Sequence, residues 1–112
     1  MSIQDEFSLI LRAVALLISN IIKEDTYRRC KFNILKNDST GYRVIVEFDN
    51  CMGEIIVAKP CFAPYRYVSL EILSSISDEF KRVFVWYDCD YDSIEDILFH
   101  IREGLEVASK YK

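Results

Sequence analysis

The stretch YRVIVEFDNCMGEIIVAKPCFAPYRYVSLEIL, residues 42–73, carries the two-residue period of β-strands, broken by turn-forming residues. Val44, Val46 and Phe48 point one way, and Arg43, Ile45, Glu47 and Asp49 the other. Asp49-Asn50-Cys51-Met52-Gly53 supplies a turn, and a short third strand follows from Glu54 to Ala58. Pro60 and Pro64 cannot donate to a ladder, so 59–64 reads as an irregular crossing or an edge. Alternation resumes from Arg66 to Leu73, with Val68, Leu70 and Ile72 opposed to Tyr67, Ser69 and Glu71.

Upstream, Cys30, Phe32 and Ile34 alternate with Arg29, Lys31 and Asn33, and NDSTG at 37–41 is a turn that opens the first hairpin. Downstream, a last strand spans about 81–88 and pairs with the strand ending at Leu73. Both ends are helical. Phe7, Ile10, Leu11, Val14, Leu17, Ile18, Ile21 and Ile22 recur at three- and four-residue steps over about 3–23. Ile94, Ile97, Leu98, Ile101, Leu105 and Ala108 trace a second stripe ending near Ser109. Asp92 or Ser93 is its N-cap, with Glu95 or Asp96 completing a capping box.

Short consecutive strands joined by tight turns favour an antiparallel sheet, and two amphipathic helices cover one of its faces. The expected fold class is α+β, about five antiparallel strands flanked by an N-terminal and a C-terminal helix. Residues 1–112 form one domain, as their number and 51% hydrophobic content permit. The second sheet face then presents Glu47, Asp49, Tyr67, Ser69 and Glu71. Parity in the last strand is ambiguous, because Phe84 and Trp86 are as apolar as Val83 and Val85. Trp86 and Tyr67 among carboxylates on an open face have the composition of a protein-binding surface.

Charge is uneven. Residues 1–36 carry six basic and four acidic side chains, while residues 37–112 carry eight and fourteen, a balance of −6. Such a field repels nucleic acid, whose binding needs Lys and Arg at the phosphates, and attracts basic partners. The apolar N-terminus is neither a leader nor a span, since Asp5 and Glu6 stand where positive charge belongs and Arg12 interrupts the run. The chain is expected in the cytoplasm, away from membranes. Cys30, Cys51, Cys61 and Cys89 lie 21, 10 and 28 residues apart without a C-x-x-C pair, so free thiols are expected rather than a metal site or disulfides.

The densest run of acid follows the last strand, in RVFVWYDCDYDSIED at 82–96. Asp88, Asp90 and Asp92 match the first three ligands of a calcium loop, but Ser93 and Phe99 stand where Gly and a bidentate Glu are required. The same DCDYD resembles the start of haloacid-dehalogenase phosphatases, and Asp92 departs from that motif. Asp92, Glu95 and Asp96 are explained by the helix they begin, because carboxylates favour a helix N-terminus. Asp88 and Asp90 exceed that need, beside Trp86 and Tyr91. There is no Gly-rich phosphate loop and no second His, and His100 sits on a helix flank; no enzyme, metal or cofactor is expected.

The strands VIVEFDN (44–50), PYRYVSLEIL (64–73) and FVWYDCD (84–90), with an SIEDI helix start, resemble the immunity proteins of bacterial polymorphic toxin systems, of the contact-dependent growth inhibition type. The resemblance implies a cytoplasmic protein, monomeric before it binds, that neutralises a cognate toxin domain by covering its active site or substrate groove. Many such toxins are nucleases with basic clefts. Asp88, Asp90 and Asp92, with Glu47, Asp49 and Glu71, are then expected at phosphate-binding positions, and Trp86, Tyr67 and Tyr91 as aromatic anchors. The alternative is a type III secretion chaperone, also small, acidic and α+β, which would be a stable homodimer with apolar grooves that wraps an unfolded effector segment.

Overall fold

The computed structural model describes residues 5–112. Helix α1 (Glu6–Glu24) is followed by strands β1 (Lys31–Asp38), β2 (Gly41–Glu47), β3 (Cys51–Val57), β4 (Val68–Ser74) and β5 (Arg82–Tyr87), then helix α2 (Ile94–Lys110). The strands form one antiparallel sheet in the order β1-β2-β3-β4-β5, a meander in which each strand pairs with its sequence neighbour. This is the α+β plan expected from the alternation. The expected start of α1 at residue 3 lies outside the described residues. Among the described residues no helix is long and apolar enough to cross a membrane.

Local signals set the helix ends. Asp5 caps α1 by accepting the Ser8 N–H at 2.8 Å, as a short side-chain acceptor does for an orphan amide. At the start of α2 the cap is Ser93, and Asp96 returns a bond to the Ser93 amide in a complete capping box. Asp92 is instead taken up by the preceding turn, where it accepts the Cys89 N–H at 2.8 Å.

Both helices lie on the same face of the sheet. Phe7, Ile10, Val14 and Ile18 of α1 and Ile97, Ile101 and Leu105 of α2 close over Val44, Val46, Ile55, Leu70 and Ile72, all buried. Each large aliphatic side chain so covered contributes about 1.5–3 kcal/mol. Ile22 does not join the stripe and is exposed, because α1 turns Leu9, Leu16 and Ile22 away from the sheet. Gly104 brings α2 closest to the sheet: a Cβ there would stand 2.5 Å from a Leu70 methyl and 2.8 Å from the Phe84 ring.

The second turn is shorter than expected. Cys51 points into the core and its carbonyl accepts the Phe48 N–H at 2.8 Å, so Met52 and Gly53 already pair with Glu47 and Val46 in the ladder. The turn contracts to Asp49 and Asn50. A buried Cys51 is the physical reason, since an apolar thiol gains more from the core than from a turn.

Candidate functional site

Register resolves the parity of β5. Leu70 pairs with Trp86 and Ile72 with Phe84, so both aromatic rings share the helix face with the buried Leu70 and Ile72. Trp86 stacks on His100 of α2, ring centroids 4.6 Å apart and 21° from parallel. The expectation that Trp86 faces outward is therefore corrected. Val85 and Tyr87 take the open face instead, opposite Glu71 and Ser69.

Tyr67 is corrected too. It precedes β4, where the chain still curves around the sheet end, and its ring meets Phe7 of α1 edge-on at 5.3 Å. The Arg66 guanidinium lies 4.5 Å from the same ring.

Asp88 is turned inward, 2% exposed. One carboxylate oxygen accepts three consecutive backbone amides, Arg66 at 2.9 Å and Tyr67 and Val68 at 2.8 Å. The other oxygen is buried without a partner among the described residues. Asp88 thus ties the crossing segment to the end of β5, and it is not a surface group. Its neighbours differ: Asp90 and Tyr91 are exposed at 83% and 94%, and Asp92 is half-buried in its turn.

The run 82–96 holds one basic residue, Arg82, ahead of its acids, but the fold supplies another. Arg66 makes two hydrogen bonds to Glu6, at 3.0 and 2.8 Å, and its Nε lies 3.3 Å from Asp90. This hydrogen-bonded guanidinium holds the Glu6 carboxyl below its ordinary value. Arg66 thereby joins the first turn of α1 to the β5–α2 turn and offsets part of the acid there. Among the described residues no group of three or more His, Cys, Asp or Glu side chains is placed to hold a metal ion.

The remaining expected residues fall in two places. Asp49 lies at the other end of the strands, paired with Arg29 at 3.0 Å. Glu47 and Glu71 stay on the open face, both exposed, with Glu47 opposite Lys31. Among the described residues that face carries no helix. Across its centre run Ile45, Glu54 and Glu71 in register, with Arg43, Ile56, Ser69 and Tyr87 in the next row. Met52 and Leu73 form the row beyond.

A cleft of about 340 Å³ opens there, lined by Ile45, Met52, Ile56, Leu73 and Tyr65 around Glu54, Ser69 and Glu71. Arg43 pairs with Glu54, and the Tyr87 hydroxyl donates to Glu71. The Tyr65 and Tyr87 rings stack with centroids 6.1 Å apart. Burial, then the charges of Glu54, Glu71 and Asp88, push the Tyr65 phenol above its ordinary value. The Glu71 hydrogen bond does the same to Tyr87.

Glu54, Tyr65 and Tyr87 are functional candidates beyond those expected from sequence. A signal for Glu54 exists, since it lies an odd number of residues from the inward Ile55 and Val57. Tyr87 could be assigned only once the β4–β5 register was known.

No protein-family model matches this chain, and neither a curated protein nor a solved structure matches it.

Proposed function

We propose that this chain is an immunity protein, acting in the bacterial cytoplasm, that binds a cognate toxin domain through the open face of its sheet and so blocks the toxin's active site or substrate groove. The observation that carries this reading is the uncovered face itself: Met52 is 49% exposed, and aliphatic side chains, two stacked tyrosines and the carboxylates of Glu47, Glu54 and Glu71 share one surface. Apolar centres with aromatic anchors dominate the energy of protein interfaces. Net charge of −4, concentrated after residue 36, favours encounter with a basic protein such as a nuclease. Asp90 and Tyr91 extend the acidic surface at the sheet's end, while Asp88, Trp86 and Tyr67 support it from within.

The test is growth. Where a large secreted protein is encoded next to this chain, cells expressing its C-terminal domain should stop growing, and co-expression of this chain should restore growth. Failure to restore growth against that domain, with both proteins soluble, removes the toxin reading.

A further inference from the structure

We propose that the cleft between Glu54 and Glu71 is an arginine-binding pocket, which seats one guanidinium side chain of a basic protein partner. The inference rests on reading the chain as a binder of a basic protein and names the chemistry by which it would hold one.

Glu54 and Glu71 face each other directly across β3 and β4. Like charges in that position repel, so a sheet that keeps them gains when a cation enters between them. Arg43 pairs with Glu54 from one side, whereas among the described residues Glu71 has no ion-pair partner and takes its hydrogen bond from the neutral Tyr87 hydroxyl. Glu71 is therefore the carboxylate of the pair left without a cation in contact.

A second, independent feature points inward. Ser69 sits in the row beside the carboxylates, is 3% exposed, lines the cleft and has no side-chain hydrogen-bond partner among the described residues. Its hydroxyl is not among the fully buried oxygens that lack a partner, so it opens to the cleft, where an arriving donor can bond it. A guanidinium offers five donors in a planar fork, enough for Glu71, Glu54 and Ser69 together.

The walls fit the rest of that side chain. Ile56 and Leu73 provide apolar surface for the methylene stem, Met52 is flexible enough to close over it, and the Tyr65 ring offers a face for the guanidinium plane. A lysine ammonium matches the charge but not the planar fork or the stacking.

The probe is a blocked pentapeptide with one central arginine between glycines, titrated into the ¹⁵N-labelled full chain. The control replaces arginine with citrulline, which has the same shape and no charge. Saturable shifts should appear at the amides of Gly53, Glu54, Ser69 and Glu71 with the arginine peptide and not with citrulline. Binding should weaken about fivefold between low and physiological salt, as a half-exposed ion pair requires. Glu54→Gln with Glu71→Gln should abolish the shifts, Ser69→Ala should weaken them, and Glu24→Gln, at the end of α1 away from the open face, should leave them in place. A dispersed spectrum of each variant confirms folding.

Silent cleft amides overturn the proposal, as do equal shifts with citrulline or shifts confined to Asp90 and Tyr91. Calcium chloride reproducing the shifts makes the cleft a cation site instead. Cleft shifts that change on dilution without peptide make it a contact between copies of this chain. Peptide seating without growth protection removes the toxin reading alone, and growth protection with a silent cleft removes this proposal alone.

Discussion

Asp88 shows how one residue can carry acidity without contributing to the surface. Its carboxylate gathers three backbone amides at the start of β4 and so closes the sheet end beneath α1. An Asn at that position keeps one carbonyl acceptor of lower charge and buries an NH₂ where the second oxygen has no partner. Asp88→Asn is expected to cost about 1–3 kcal/mol of stability, and Asp88→Ala more, read as a lower urea midpoint at unchanged slope. Unchanged stability would mean that the three amides find other acceptors. Asp88 and Asp90 look equivalent in sequence, both acidic and both following an apolar strand. What separates them is where β5 ends: Asp88, directly after Tyr87, continues the inward row through Phe84 and Trp86, whereas Asp90, of the same parity, already lies in the turn, and that row was invisible while the strand was apolar on both sides. Glu71 was legible because its strand alternates cleanly, with Leu70 and Ile72 buried and Glu71 exposed.

Elements with a strong period were readable to within a few residues. The stripes of α1 and α2 and the alternation of β2 and β4 each followed from one face being buried against the other layer. Three things were not readable. Cys51 looked like a turn residue but is core. Tyr67 is aimed by the curved crossing segment rather than by strand parity. Ile22 fell on the apolar stripe but outside the angle the sheet covers. Gly104 is where α2 packs tightly onto the sheet, with no room for a Cβ. Alanine there should raise intrinsic helix propensity by about 1 kcal/mol, yet its Cβ meets Leu70 and the Phe84 ring, both packed in the core. Overpacking of that kind costs about 1–3 kcal/mol, so Gly104→Ala is expected to lower the melting temperature. A higher melting temperature would show that α2 lifts from the sheet without loss.

At the scale of the whole molecule, the two faces of the sheet have different roles. One is closed by α1 and α2 over an aliphatic core; the other is left to solvent with Ile45, Met52, Ile56 and Leu73 around a pair of facing carboxylates. Natural monomers seldom leave contiguous apolar surface open without use. In the proposed function, acid after residue 36 would steer a basic partner toward the molecule, and the open face would give that partner something to bury. The reading from sequence expected aromatic and acidic side chains together on the open face and placed that surface partly on Trp86 and Tyr67, which the fold spends on the helix side. The most direct measurement is the relaxation that a soluble paramagnetic agent causes in the methyl groups of Ile45, Met52, Ile56 and Leu73, with and without a toxin domain of the proposed kind that this chain binds. The methyls of these four residues are expected to lose the added relaxation in the complex while those of Leu9 and Leu16 on α1 keep theirs. Protection of Leu9 and Leu16 with the sheet methyls unchanged would contradict it.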